Sequence, residues 1–151
     1  MYIESGTASN YLCLPQNPDF DSKIDQKSPF AMIYGAEYET HTFVSGLTDK
    51  EAPCAVCQIP RSNVIMMPGK NICLKNYKME YHGYLMSGHP KHVAASEYVC
   101  VDGDPEATTE SLPSNLNGVL FYFVKAKCGS LKCLPYKDGE VLTSVVCSYS
   151  P

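Results

Sequence analysis

The sequence predicts an all-β, β-dominated domain, and three observations carry that prediction. Short runs of β-branched and aromatic residues recur along the chain. Clusters rich in Pro, Gly, Asp, Ser or Asn separate them, at 16–29, 45–53, 102–117 and 136–140. No segment carries a helical apolar period with caps. The first expected strand is 11–14, with Tyr11, Leu12 and Leu14, and the second is 31–34, with Met32, Ile33 and Tyr34. The run 37–44 contributes Tyr38, Phe43 and Val44, and 54–59 contributes Val56 and Ile59 between cysteines. The second half opens with 63–67, an apolar run through Val64, Ile65 and Met66. At 78–86, Met79, Tyr81, Gly83 and Leu85 alternate with Glu80, His82 and Tyr84, as in a half-buried strand. The strands 96–101, 119–125 and 141–147 complete the set.

The chain also repeats itself with its cysteines in step. Ser9-Asn10-Tyr11-Leu12-Cys13-Leu14 matches Ser96-Glu97-Tyr98-Val99-Cys100-Val101, and Ala55-Val56-Cys57 aligns with Val145-Val146-Cys147. Between these anchors, Gly35-Ala36-Glu37-Tyr38 corresponds to Gly118-Val119-Leu120-Phe121. A long repeat seen only twice predicts two pseudo-repeated, disulfide-linked β subdomains packed as one compact unit. The expected organisation is a single domain, 1–151, of an incomplete first repeat (1–62) and a second repeat (63–151). The join at Pro60-Arg61-Ser62 is too short for a flexible linker. The first repeat lacks a counterpart to the opening of the second. A strand missing there would leave an open sheet edge, which a neighbouring chain could fill.

Composition narrows the function. The formal net charge of −4 gives no electrostatic footprint for nucleic acid, and no polybasic run suits a membrane surface. The apolar stretches, such as 119–124, fall far short of the roughly 20 residues that span a bilayer, so no membrane insertion is expected. Eight cysteines among 151 residues read as disulfides and hence as an oxidising, secreted setting. The chain opens Met1-Tyr2-Ile3-Glu4 without an apolar signal stretch, so secretion is inferred from the cysteines alone.

Several residue groups are candidates for chemistry. Cys54-x-x-Cys57 sits in an apolar β run rather than at a helix N-terminus, which favours structural disulfides over a redox pair or half a zinc site. His89 and His92 offer two imidazoles, where zinc needs a third ligand and usually a fourth; solvated loop histidines are the plainer reading. Asp102, Asp104 and Glu106 could offer calcium three carboxylates, but an ordinary Asp-Gly turn explains them as well. Asn10, Tyr11, Glu97 and Tyr98 supply twice over the aromatic and polar side chains of a sugar site, although aromatics in strands are more often packing residues. No catalytic or nucleotide-binding signature is present, so the chain is not expected to be an enzyme. No cofactor is expected, with calcium or zinc the alternatives.

One resemblance covers nearly the whole chain. Pro53-Cys54-Ala55-Val56-Cys57-Gln58-Ile59-Pro60, followed by Cys73 and the Tyr81-x-Gly83-Tyr84-x-Met86 strand, resembles the tandem-repeat non-collagenous C-terminal domain of type IV collagen. Closer still is the domain of invertebrate short-chain, spongin-like collagens, whose motifs are matched at 11–15, 94–103 and 128–133. The likeness implies a non-catalytic extracellular structural, oligomerisation or adhesion module. The implied partners are copies of the chain, a matrix protein or a glycan. A lectin in the same fold is the alternative, and a metal-dependent binder the third reading. The likeness also implies a pairing, because two cysteines of the pattern are missing together. Symmetry then suggests Cys54–Cys73, Cys13–Cys57, Cys100–Cys147 and the local Cys128–Cys133. A within-repeat scheme, Cys13–Cys54 with Cys73–Cys147, would strand Cys57 and Cys100. The first scheme is the expectation, because unpaired thiols are unusual in secreted domains.

Overall fold

The computed structural model describes residues 5, 6, 8–21, 23, 29, 31–42, 44–109, 111 and 114–149. These contain no helix. They form a sheet of six strands: β1 (Ala36–Tyr38), β2 (Val64–Pro68), β3 (Tyr77–Ser87), β4 (Val99–Asp102), β5 (Val119–Phe123) and β6 (Thr143–Tyr149). The order is β1-β5-β3-β6-β2, with β4 on β3. Only β1 and β5 run parallel.

β3 organises the sheet. Gly83 pairs with both Asp102 and Ser144, so β4 and β6 occupy opposite edges of β3. Met86 pairs with both Val99 and Phe123, which puts β5 beyond β6 on the second edge. A bulge between Met79 and Tyr81 inserts Glu80 as an extra residue. Its carboxylate accepts from Arg61 and Ser148, which hold it below the usual carboxylate range. Arg61 thereby ties the join between the halves to the sheet. The core gathers at the β1–β5 end, around Tyr38, Leu47, Met86 and Phe121, with Tyr11, Tyr84 and Phe123 packed against it. The Tyr11 and Phe121 ring centroids lie 5.1 Å apart, as do those of Tyr84 and Phe123.

The all-β class holds, but the halves do not build two like β units among the described residues. The first half contributes one short strand and the second contributes five. The runs 11–14, 31–34 and 54–59 form no strand, and 37–44 narrows to Ala36–Tyr38, with residue 43 outside the described set. A strand exists only beside a partner backbone, and among the described residues these runs have none along their length. Their apolar side chains stay exposed at Leu12, Leu14, Ile33 and Val56. The second-half runs do find partners and shift by one to three residues at their ends. The aligned segments nevertheless meet one to one. Ala36 pairs with Val119, Glu37 with Leu120 and Tyr38 with Phe121, and the Glu97 amide donates to the Ser9 carbonyl at 3.0 Å.

The disulfides correct the expected pairing. The bonds are Cys13–Cys54, Cys73–Cys147 and Cys128–Cys133, so only the local bridge matches; Cys54–Cys73, Cys13–Cys57 and Cys100–Cys147 do not form. Sheet geometry forbids Cys100–Cys147. Cys100 lies opposite Leu85 and shares a face with Gly83 and Ser144, whereas Cys147 alternates with Ser144 onto the other face, opposite Ile65 and Met79. Cys73 approaches from that second face and takes Cys147, which removes it as a partner for Cys54. Cys57 and Cys100 are left as thiols.

Candidate functional site

A cavity of about 1130 Å³ lies between β3–β4–β5 and three first-half segments, at 8–16, 32–36 and 52–55. Sequence pattern positions each wall. The Ser9–Glu97 backbone bond sets the first segment beside the lead-in to β4, and the Cys13–Cys54 bond joins two of the segments. The turn after β1 is closed by Asp49 and Lys50 bonding back to Tyr38. The rim loop at 104–111 is tied down where Lys50 Nζ donates to the Ser111 carbonyl at 2.7 Å and the Tyr38 hydroxyl donates to the Glu106 carbonyl at 3.1 Å.

The cavity gathers several residues picked out from the sequence. Asn10, Tyr11, Asp102, Asp104, Glu106 and His92 all line it. Glu97, Tyr98 and His89 do not; Tyr98 is exposed at 61%. The Tyr11 hydroxyl is buried beside Ser96. Burial raises its pKa; hydrogen bonding to Ser96 opposes the rise and the Glu97 charge adds to it. Tyr38 is raised by burial and then by Asp102. Tyr81, placed by its sequence on one face of a half-buried strand, also lines the cavity; burial first, then Cys100, Asp102 and Cys57, push its hydroxyl up to about 12. The Tyr38 and Tyr81 hydroxyls donate their protons to the Glu106 and Cys100 carbonyls, which leaves their oxygens as acceptors beside a carboxylate rim and apolar walls. Such a cleft suits a ligand with an apolar face and hydroxyl groups. The aromatic–Cys anchors of the repeat were the signal for Tyr11, and nothing local marked Tyr81.

The candidate metal ligands do not assemble. Among the described residues no three His, Cys, Asp or Glu side chains converge on a common point. Asp102 accepts the Asp104 amide at 2.9 Å, an ordinary Asx turn. His89 and His92 stand 5.3 Å apart between ring centroids and both pack on the Tyr122 ring. No family model, curated protein or solved structure matches the chain. Among the described residues no helix is long and apolar enough to cross a membrane.

The histidine corner has a pH consequence. Burial, and then the neighbouring His89, lower the His92 pKa from its ordinary 6.5. Between that value and the folded one, the unfolded chain binds more protons than the folded chain. Stability therefore falls as pH drops through 6.5, and the loss is complete once pH passes below the folded pKa. The expected result is that His92→Gln flattens part of the stability lost between neutral and mildly acidic pH. Urea midpoints measured across that range check it; an unchanged slope would contradict it.

Proposed function

We propose that the protein is a non-catalytic extracellular module that assembles with copies of itself through the β2 edge. The observation that carries this reading is β2 itself. Val64–Pro68 ends the sheet and, among the described residues, pairs only with β6. Val64 and Met66 remain 51% and 37% exposed on the face they share with Val146 and Tyr81. An open edge with apolar side chains is a template for another strand. The disulfides are consistent with an oxidising, extracellular setting. The likeness to the type IV collagen C-terminal domain supports assembly as the role. A glycan-binding lectin is the second reading, favoured by Asn10 and Tyr11 lining the large cavity.

Multi-angle light scattering tests the proposal. The wild-type chain is expected to form a defined oligomer at micromolar concentration, indifferent to chelator and simple sugars. Met66→Lys, which places a charge on the exposed edge, is expected to shift it to monomer without loss of the disulfide pattern. A wild-type monomer overturns assembly, and an oligomer dissolved by sugar transfers the function to the cavity.

A further inference from the structure

The two stranded thiols are not scattered. Cys100 lies on β4, on the face that also carries Gly83 and Ser144. The Tyr81 hydroxyl donates to the Cys100 carbonyl at 3.1 Å, so the Tyr81 ring lies against that point of β4. Cys54 and Ala55 line the same cavity as Tyr81 and Cys100. Cys57 follows Cys54 by three residues, a reach of at most about 10 Å. Both cysteines raise the pKa of the Tyr81 hydroxyl, in keeping with that placement. Cys57 is exposed, and residues 55–59 belong to no strand, so no ladder must break for that segment to move. Cys100 is half-buried, beside the buried Ser144 hydroxyl.

We propose that Cys57 and Cys100 are a reactive thiol pair that closes to a fourth disulfide beside Tyr81 when the protein meets a low-molecular-mass disulfide oxidant. Closure ties the segment after Cys54 to β4 and fixes one wall of the cavity. The steps balance as thiol–disulfide exchange. The exposed Cys57 thiolate attacks one sulfur of the oxidant, forming a mixed disulfide and releasing one small thiolate. The Cys100 thiolate then attacks the Cys57 sulfur and expels the second small thiolate. The protein loses two protons and two electrons, and the oxidant is reduced to two thiols. Burial raises the Cys100 pKa, which makes the exposed partner the one that reacts first.

Alkylation and peptide mapping test this on the intact protein. With its three disulfides in place, the protein is incubated with oxidised glutathione and then alkylated and digested without reduction. The expected result is loss of alkylation at both Cys57 and Cys100 and the appearance of a peptide joining them, with the three other bonds unchanged. Cys100→Ser is expected to accumulate glutathione on Cys57, and Cys57→Ser to leave Cys100 unmodified. Stable glutathione on Cys57 of the wild type with Cys100 still alkylated would overturn the proposal. So would a Cys57-to-Cys57 bond between copies, or full alkylation of both thiols.

Discussion

Replacing both partners of the Cys73–Cys147 bond, as Cys73→Ala with Cys147→Ala, is expected to lower the unfolding free energy by about 4 kcal/mol. The bond spans a sequence separation of 74, and in the chain-entropy picture a cross-link that long strongly restricts the unfolded chain. Location adds to the effect. Cys147 is fully buried in β6, between Ile65 of β2 and Met79 of β3, so its removal also leaves a small cavity at the centre of the sheet. A single domain has only about 5–15 kcal/mol in hand, so the variant should stand close to unfolding. The local bridge is the internal comparison. Cys128–Cys133 has a separation of 5, and removing it the same way should cost about 2 kcal/mol. Paired denaturation curves check both numbers. Equal midpoints for the two double variants would show that loop length does not govern their contributions.

Gly83→Ala is expected to cost about 3 kcal/mol or more, a large effect for one methyl group. β3 is flanked on both edges at this residue, by Asp102 of β4 and Ser144 of β6. A Cβ there would overlap the Val101 carbonyl oxygen and lie 2.6 Å from the Asp102 carbonyl carbon. Both are backbone atoms, so no rotamer change relieves the clash; β4 must separate from β3. That separation would also pull Cys100 from Tyr81 and open the cavity along its β4 wall. Faster amide exchange at Val99–Asp102 is the local signature to seek. Gly35→Ala is the control, since a Cβ at Gly35 meets nothing within 4 Å and stability should hardly move. Unchanged stability and exchange in Gly83→Ala would mean that β4 does not pack as described.

Tyr81 and Cys57 show where legibility ended. The alternation at 78–86 places Tyr81 on one face of a strand, and the structure keeps that strand as Tyr77–Ser87. What lies over that face depends on how the chain returns after Cys54, and no neighbouring residue reports it. The candidate site was legible in part for the same reason. Asn10, Tyr11, Asp102, Asp104 and Glu106 were marked by residue type, but that they share one cavity while Glu97 and Tyr98 stand outside it is a matter of packing. Residues 11–14, 31–34 and 54–59 carry strand-like composition, yet sheet hydrogen bonds need a second backbone, which composition cannot supply.

By itself the sequence determined the all-β class, the second-half strands to within a few residues, and the short Cys128–Cys133 bridge. All three rest on local physics: side-chain alternation, turn chemistry and the closure of a small loop. Only the tertiary structure decided that Cys147 joins Cys73, that Cys57 and Cys100 are left as thiols, and that Val64–Pro68 ends the sheet. Those outcomes depend on which face of β4 and β6 each side chain occupies and on which strands lie side by side. Shifting a strand by one residue reverses every facing, so distant pairing, and not local composition, selects the partners.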